Sequence, residues 1–276
     1  MYHPYRPSRH WIVVTLLLAF TLLSSCVAAA GNTVHIAVAS NFAETLRSVL
    51  ASFEGESPHE FKISAASTGK LFAQIKHGAP FHAFLSADVE RPKRLLADGY
   101  AVPGTRFTYA VGRLALWQPL DAGNISGPDI LRHTRGRLAM ANPKTAPYGK
   151  AARETLHALG LWRVWRPRLV RGENIGQTYQ FVASGAVESG FVALSQLLAG
   201  KPASLRPSNR SSSNGHIWPV PASLHTPLLQ QAVLLRWGED SVGAKDFLAL
   251  LRSPEARGII QAQGYGLAEP DNIETE

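Results

Sequence analysis

The chain has 276 residues, of which 45% are apolar and 17% are charged. This balance excludes an intrinsically disordered chain, and the length is enough for one large domain or two modest ones. The formal net charge of +8 would attract small anions, nucleic acid or acidic membranes. Because no run of Lys and Arg is interleaved with aromatic residues, we do not expect nucleic acid to be a partner.

The start of the chain is typical of a secretory signal peptide, so we assign residues 1–30 to a cleaved leader. Arg6 and Arg9 precede an almost unbroken apolar run over residues 11–23, and the alanines at 28–30 offer small residues for cleavage. The apolar run is too short to span a bilayer comfortably as a permanent helix. We therefore expect an exported protein.

Cys26, the single cysteine of the chain, lies inside this leader. Cleavage after Ala30 would leave a chain without thiols, which suits an oxidising compartment and excludes disulfides and thiolate metal sites. The sequence Leu23-Ser24-Ser25-Cys26 also resembles a bacterial lipoprotein box. In that alternative Cys26 would become the lipidated first residue, so a lipid anchor stays open beside soluble export.

Strand and helix patterns alternate through the first part of the chain. Apolar runs predict the strands, and apolar residues at helical spacing predict the helices between them. The predicted strands cover residues 34–39, 61–65 and 83–85, and the predicted helices cover residues 42–53, 69–76 and 89–98. Such alternation predicts a parallel sheet with helices on both faces.

The middle of the chain repeats this architecture, and the end returns to helices. The predicted strands cover residues 107–117, 138–141, 169–170, 190–193 and 228–237, and the predicted helices cover residues 148–159, 176–183, 241–251 and 254–263. Residues 200–215 are rich in Ser, Pro and Arg, which predicts an exposed loop. Ser253-Pro254-Glu255 is a typical helix start with Pro in the first position.

The fold class that follows is α/β, in two lobes with a ligand cleft between them. The long strands near Tyr109 and Val233 are the candidate crossovers between the lobes. We therefore assign residues 31–111 and 230–276 to lobe one and residues 112–229 to lobe two. The final helices would then return to lobe one.

Four predicted strands end at small hydroxyl, amide or glycine residues just before a helix. The junctions are Ser40-Asn41, Ser67-Thr68-Gly69, Pro147-Tyr148-Gly149 and Asn174-Ile175-Gly176. A helix start carries backbone N–H groups without intrahelical partners and a partial positive charge, so it attracts anions. Several converging starts would bind an oxyanion without any cationic side chain. Taken singly, each junction has a plainer alternative, namely N-capping by Ser, Thr or Asn, or core packing for Tyr148 and Ile175.

Other chemistries lack their sequence signatures. Residues 67–70 are similar to the end of a phosphate-binding P-loop, but Ser64 stands where Gly is required and Leu71 where Ser or Thr is required. No G-x-S-x-G elbow is present, and the ten His residues form no metal-binding spacing. We therefore expect no enzyme activity, no catalytic residues, no cofactor and no metal held directly by side chains.

A series of short motifs runs through nearly the whole mature chain, over residues 33–267. They are Ala39-Ser40-Asn41-Phe42, Ser67-Thr68-Gly69-Lys70-Leu71, Gln74-Ile75, Gly78-Ala79-Pro80-Phe81, Leu85-Ser86-Ala87-Asp88, Tyr109-Ala110-Val111-Gly112-Arg113-Leu114, Asn142-Pro143, Ala146-Pro147-Tyr148-Gly149, residues 172–177 and residues 190–196. Each motif is weak alone, whereas their order and spacing are specific. Together they resemble the periplasmic molybdate-binding proteins of bacterial ATP-binding-cassette importers.

The resemblance implies a type II periplasmic binding protein fold, with two lobes, two crossover strands and hinge-like closure on the anion. By position, the contacts to the molybdate oxyanion fall on Ser40, Asn41 and Thr68 in lobe one and on Tyr148 and Ile175 in lobe two. Ser40, Thr68 and Tyr148 would donate side-chain hydroxyls. Asn41 and Ile175, and also Thr68, would donate backbone N–H groups.

The resemblance also implies the protein's role and partners. It implies a periplasmic, monomeric receptor that binds molybdate, and also tungstate, and delivers the anion to a membrane permease. A receptor for sulfate or another tetrahedral oxyanion is one alternative. An enzyme built on the same two-lobed fold is the other, because one fold hosts many functions.

The chain departs from the family pattern at two positions. Ala193 stands where some family members carry a tyrosine ligand, so Tyr148 would supply the phenol instead. His82 stands where the family usually carries Asp, which leaves the local hydrogen bonding beside the third strand in doubt. Position 82 does not map to the ligand.

Overall fold

The computed structural model describes residues 33–53, 57–119, 126–133, 135–199 and 215–268. The assigned leader with Cys26, and nearly all of the predicted loop over residues 200–215, lie outside these described residues. Within the described ranges, every helix is too short or too polar to cross a membrane.

Strands and helices alternate along the chain, as the apolar patterns predict. The strands are β1 (Val34–Ala39), β2 (Phe61–Ala66), β3 (Ala83–Ser86), β4 (Phe107–Gly112), β5 (Leu114–Gln118), β6 (Leu138–Ala141), β7 (Leu169–Gly172), β8 (Ser189–Ala193), β9 (His216–Pro219) and β10 (Leu228–Leu234). The α-helices are α1 (Ala43–Ser52), α2 (Thr68–Lys76), α3 (Glu90–Ala97), α4 (Gly127–His133), α5 (Pro147–Ala158), α6 (Trp162–Trp165), α7 (Ile175–Ala183), α8 (Leu194–Leu198), α9 (Val242–Arg252) and α10 (Pro254–Ala262). Short 3-10 helices cover Arg166–Arg168, Ala222–Leu224 and Arg236–Gly238.

The strands form two five-stranded sheets. Sheet one has the order β2-β1-β3-β10-β4, and sheet two has the order β7-β6-β8-β5-β9. In sheet one, β1 is parallel to β2 and β3, whereas β10 is antiparallel to β3 and β4. In sheet two, β6 is parallel to β7 and β8, whereas β5 is antiparallel to β8 and β9.

The predicted α/β class is confirmed, and β1, β2 and β3 are parallel as predicted, but both complete sheets are mixed. The reversed strands, β5 and β10, are the two that follow a passage between the sheets. Each enters its new sheet at the carboxyl ends of the parallel strands. It must therefore run against them, which needs no crossover helix.

The chain passes between the sheets twice. A single residue, Arg113, separates β4 from β5, so the predicted strand over residues 107–117 is two strands in different sheets. The return lies between β9 in sheet two and β10 in sheet one. Val111 and Gly266 exchange two backbone hydrogen bonds of 2.8 Å, which attach the C-terminal segment to sheet one. The residue limits of the two lobes stay a prediction.

Helices cover both faces of the sheets with apolar side chains. Along β1, Ile36 and Val38 join the cluster that contains Phe247 of α9, whereas Ala37 joins the cluster that contains Leu71 of α2. Because the side chains of a strand alternate between the two faces of the sheet, β1 packs against helices on both faces. The strand ends, and the loops that follow them, are thereby held on a rigid scaffold.

Candidate ligand-binding site

The four predicted junctions lie at the carboxyl ends of parallel strands. In sheet one, Ser40 follows β1 and Ser67 follows β2. In sheet two, residues 142–148 follow β6, and Asn174 lies two residues after the end of β7. Open α/β sheets bind their ligands at this edge, because the connecting loops open there.

Simple N-capping does not account for Ser40, Asn41 or Thr68. The caps are Ser67, whose Oγ accepts a backbone N–H of α2 at 3.4 Å, and Asn174, whose Oδ1 accepts a backbone N–H of α7 at 2.9 Å. Helix α1 has no side-chain cap, and Thr68 is already the first residue of α2. The side chains of the three predicted contact residues are therefore not used as caps.

The junctions of sheet one contact those of sheet two directly. The backbone N–H of Gly176 donates to Ser40 Oγ at 3.3 Å, which joins the first junction to the fourth. The backbone N–H of Gly69 donates to the carbonyl of Thr145 at 2.8 Å, which joins the second junction to the loop before the third. The structure thus brings the four junctions together in pairs.

The three predicted hydroxyl ligands share one arrangement, in which each oxygen accepts a hydrogen bond from an N–H group. The pairs are Ser40 Oγ with the backbone of Gly176 at 3.3 Å, Thr68 Oγ1 with the backbone of Ala87 at 3.2 Å, and the Tyr148 hydroxyl with Gln230 Nε2 at 3.1 Å. None of the three donates to an acceptor among the described residues. Each hydroxyl therefore keeps its own proton for another acceptor, such as an anion oxygen.

The backbone N–H groups of Asn41, Thr68 and Ile175 also lack an acceptor within the described part of the chain. Thr68 and Ile175 are the first residues of α2 and α7, where no intrahelical partner exists and the helix dipole is positive. All three residues are buried. Because buried N–H groups normally have a partner, these groups are well suited to an anion.

The side-chain amide of Asn41 is engaged elsewhere. Its Nδ2 donates to Gln230 Oε1 at 2.9 Å and to the hydroxyl of Tyr265 at 3.1 Å. Gln230 also contacts Tyr148, so a buried network connects the first junction to the third. Asn41 therefore offers its backbone N–H, rather than its side chain, to a ligand.

Two cationic side chains beside the junctions, Lys70 and Arg91, are already paired. Lys70 Nζ lies 2.8 Å from Glu173, and both side chains are about half exposed, at 51% and 56%. Arg91 pairs with Asp88 and also donates to the carbonyl of Lys144 at 3.3 Å. Both cations are therefore engaged, whereas the hydroxyl protons and backbone N–H groups of the predicted contacts have no acceptor among the described residues.

Burial keeps the Tyr148 hydroxyl in its protonated form. Desolvation raises the pKa of Tyr148 well above its ordinary value of 10.0, and the neighbouring Tyr265 raises it further. The hydrogen bonds from Gln230 and from the backbone of Arg113 act in the opposite direction. The phenol is thus neutral at physiological pH and can act as a donor.

Sequence reasoning missed the buried polar network that surrounds Tyr148 and Asn41. Its further members are Tyr109, Ser195, Gln230 and Tyr265. One signal was available, because Gln230 and Gln231 interrupt the otherwise apolar strand β10. Adjacent polar residues in a strand that is buried on both faces require specific partners.

The two departures from the family pattern have local explanations. His82 Nδ1 accepts the backbone N–H of His35 at 3.1 Å, next to the start of β3 and away from its carboxyl end. Burial lowers the pKa of His82, which favours the neutral ring that can accept this bond. Ala193 ends β8, and its backbone N–H donates to Gln196 Oε1 at 3.0 Å.

The described cavities do not coincide with the predicted contacts. One cavity of about 600 Å³ lies between α1 and β2, with Leu50, His59 and Ile63 on its wall. Another of about 200 Å³ has Asp88 and Pro147 on its wall. Among the residues that the structure describes, no group of three or more His, Cys, Asp or Glu side chains could hold a metal ion.

Sequence comparison places the chain beside known binding proteins. Residues 34–266 match the profile of a family described as bacterial extracellular solute-binding protein. The molybdate-binding protein ModA of Rhodobacter capsulatus is 41% identical over 248 residues, which cover 90% of this chain and 93% of that protein. The molybdate-binding protein ModA of Azotobacter vinelandii is 41% identical over 250 residues, covering 89% and 94%.

Structural comparison gives the same picture. The periplasmic molybdate-binding protein of Azotobacter vinelandii matches with a TM-score of 0.77 at 35% identity, covering 86% of this chain and 100% of that chain. The sulfate-binding protein SubI of Mycobacterium tuberculosis matches with a TM-score of 0.66 at 10% identity, covering 87% and 88%. At that identity the second match shows a shared fold alone.

Proposed function

Because the chain belongs to the family of bacterial extracellular solute-binding proteins and has their two-lobed fold, we propose that it captures molybdate and delivers it to the membrane permease of an ATP-binding-cassette importer. Two relatives with 41% identity carry the name molybdate-binding protein. Tungstate, which has the same charge and shape, is included in the proposal. The protein would act as a monomeric receptor, without a cofactor.

One observation carries this proposal: at the carboxyl ends of the strands, both sheets present uncharged hydrogen-bond donors that have no acceptor among the described residues. Three hydroxyls, on Ser40, Thr68 and Tyr148, are held as acceptors by N–H groups and keep their own protons. Three buried backbone N–H groups, on Asn41, Thr68 and Ile175, have no acceptor within the described ranges. Six donors without a matching acceptor fit an anion that carries several unprotonated oxygens.

A site made of donors alone also selects against protonated anions. Molybdate is a tetrahedral dianion near neutral pH, so each of its oxygens can accept a hydrogen bond. A protonated phosphate would bring an O–H that finds no acceptor in such a site, which is costly when buried. Sulfate has the same charge and shape but shorter bonds, so its rejection would rest on cavity size, held by the rigid strand ends.

Isothermal titration with sodium molybdate, tungstate and sulfate tests the proposal. We expect molybdate and tungstate to bind one to one, and sulfate to bind much more weakly. A preference for sulfate would overturn the ligand assignment. A double variant, Ser40→Ala with Thr68→Ala, serves as the control, because equal binding by this variant and the wild type would place the site elsewhere.

An enzyme on the same fold has no support from these contacts. The five contact positions contain no carboxylate, imidazole or thiol that could act as acid, base or strong nucleophile. Turnover that disappears when a specific carboxylate near the junctions is replaced would contradict the binding-only role. The solute-binding family itself is established by the match over residues 34–266.

The proposed location is the periplasm, where a binding protein meets its importer. The sequence of the first 30 residues leaves two mature forms, one that starts after Ala30 and one that starts with a lipidated Cys26. Mass spectrometry of the N-terminal peptide of the exported protein separates them. A peptide that begins at Gly31 supports soluble export, whereas a diacylated Cys26 supports the anchor.

A further inference from the structure

Gln230 lies at the centre of the buried network and contacts elements of both sheets. It is fully buried in β10, the strand that follows the return passage to sheet one. Its Oε1 accepts from Asn41 Nδ2 at 2.9 Å and from the Tyr109 hydroxyl at 3.0 Å, and Tyr109 shares its one proton with the Ser86 carbonyl at 3.2 Å. Its Nε2 donates to the Tyr148 hydroxyl at 3.1 Å. The direction of these bonds depends on which end of each amide carries the nitrogen.

The backbone carbonyl of Asn41 sets this direction, because a carbonyl can only accept. The Tyr265 hydroxyl lies 2.8 Å from that carbonyl and donates its one proton to it. The oxygen of Tyr265 must then accept its other bonds, from Ser195 Oγ at 2.9 Å and from the Asn41 side chain at 3.1 Å. The Asn41 side chain therefore presents its NH₂ group to Tyr265.

The same NH₂ group determines the orientation of Gln230. The second N–H of Asn41 Nδ2 points to Gln230, so the side-chain oxygen of Gln230 must face Asn41. The amide nitrogen of Gln230 then faces Tyr148 and donates to its hydroxyl. The backbone of Arg113 contacts the same oxygen. The Tyr148 oxygen is thus occupied as an acceptor, and its own proton must go elsewhere.

We propose that Gln230 is a positioning residue that makes the Tyr148 hydroxyl a donor toward the bound anion. The inference rests on the proposed function, because the acceptor of the Tyr148 proton would be a molybdate oxygen. It extends that function by one residue that does not touch the ligand. The donor at the site would therefore depend on a residue 189 positions along the chain from Asn41, through the hydrogen bonds that connect Asn41, Gln230 and Tyr148.

The hydrogen bond between Gln230 and Tyr148 lies next to Gly112, the last residue of β4. A Cβ atom at Gly112 would lie 2.4 Å from the Tyr148 hydroxyl and 2.6 Å from Gln230 Nε2. The pair thus occupies the space that a side chain at position 112 would fill, at the point where the chain leaves sheet one. A residue larger than glycine there would displace Tyr148 or Gln230.

Two substitutions at Gln230 separate hydrogen-bond direction from packing. Gln230→Glu keeps the shape but offers two acceptor oxygens, so the Tyr148 proton turns toward the new carboxylate and away from the ligand. Gln230→Met removes all polar contacts but leaves the Tyr148 proton free. We expect molybdate affinity to fall about 30-fold or more in Gln230→Glu and only about 3-fold in Gln230→Met. A purely structural role predicts the opposite order.

Gln231→Glu is the matched control on the same strand. Gln231 Oε1 accepts from Arg106 at 3.0 Å, and its Nε2 donates to Thr108 at 3.2 Å, away from the network of Gln230. We expect this variant to bind molybdate within about 2-fold of the wild type, since its bonds do not lead to Tyr148. Thermal unfolding of every variant checks that the fold persists.

A second measurement separates bond direction from the added negative charge. Tyr148→Phe should weaken molybdate binding about 10- to 100-fold in the wild type, and by less than about 3-fold in the Gln230→Glu background. A negative charge that acts on the anion alone would instead leave the cost of Tyr148→Phe the same in both backgrounds.

These experiments distinguish failure of the Gln230 inference from failure of the proposed molybdate binding. If the wild type does not bind molybdate, the proposed function fails first. If the wild type binds, but Tyr148→Phe costs the same in both backgrounds, the role of Gln230 is wrong. Should Gln230→Glu fail to fold, a Gln230→Met variant that binds at least 30-fold more weakly than the wild type would overturn the inference on its own.

Discussion

Besides the Ser40–Gly176 bond, two sets of contacts join the elements of sheet one to those of sheet two, and they differ in their access to water. The inner set is the hydrogen-bond network of Asn41, Tyr148, Ser195, Gln230 and Tyr265, all of which are buried. The outer set, which we call the clasp, consists of the Lys70–Glu173 ion pair, the Gly69–Thr145 backbone bond and the Arg91–Lys144 contact. If a group of the buried inner set loses its hydrogen-bond partner, no water molecule can take that partner's place.

This difference predicts separate roles for the two sets. A buried polar group that loses its partner costs about 1–3 kcal/mol, whereas an exposed ion pair contributes about 0–1 kcal/mol. The inner network can therefore fix the direction of each donor at the site. The clasp can break and re-form at little cost, which suits a protein that must open to release its ligand.

Gly112→Ala should have the largest effect, because it disrupts the inner network although it removes no polar group. The new Cβ would lie 2.4 Å from the Tyr148 hydroxyl, so the tyrosine must move. We expect molybdate binding to fall at least about 100-fold and the free energy of unfolding to drop by about 1–3 kcal/mol.

Titration calorimetry and chemical unfolding of Gly112→Ala provide both numbers. Gly258→Ala, in α10, is the matched control, because no atom lies within 4 Å of the added Cβ there. Alanine in an exposed helix should leave binding unchanged and stability equal or slightly raised. Normal binding by Gly112→Ala would contradict the close packing at Tyr148.

Thr68→Ala and Ser40→Ala come next, because each removes one hydroxyl that keeps its proton for the ligand. We expect each to cost about 1–3 kcal/mol of molybdate binding, as for a buried hydrogen bond that is left unmade. Thr68→Ser retains the hydroxyl and should recover most of the loss. Calorimetric dissociation constants for the three variants check this order, and equal affinities for Thr68→Ala and Thr68→Ser would remove the hydroxyl from the site.

Lys70→Ala should have a much smaller effect, because Lys70 belongs to the exposed clasp. Its ion pair with Glu173 is about half exposed, so we expect a loss of no more than about 1 kcal/mol of binding, and less at high salt. Titrations at low and high ionic strength measure both quantities. If Lys70→Ala abolishes binding while Thr68→Ala does not, the neutral-donor site is wrong.

Ile175→Val should have the smallest effect on binding, because the proposed contact at this position is the backbone N–H. The side chain is 3% exposed, so removing one methylene group should lower stability by about 0.5–1.5 kcal/mol. Molybdate affinity should change by less than about 0.5 kcal/mol, well below the effect of losing a hydrogen bond. A large loss of affinity without a loss of stability would show that the side chain itself shapes the cavity.

Local patterns predicted most of the elements, although they missed α4, α8 and β9 and joined β4 to β5. Apolar periodicity predicted the alternation of strands and helices, and the cap at Ser253 before α10 is present, with its Oγ accepting a backbone N–H at 3.1 Å. The five contact positions come from the family resemblance, which rests on motifs that are continuous in sequence, and they stay a prediction. Such signals are readable because they arise within a few residues of one another.

Only the tertiary structure decided how those positions are oriented. It made Ser67 and Asn174 the caps, which leaves Thr68 and Ile175 for another partner. It reversed β5 and β10 within their sheets, and it placed Gln230 against Tyr148. These contacts join residues that are far apart in the chain, and a hydrogen bond takes its direction from all the groups around it. A linear sequence specifies which groups are present, but the direction of each donor is settled only when folding buries them together.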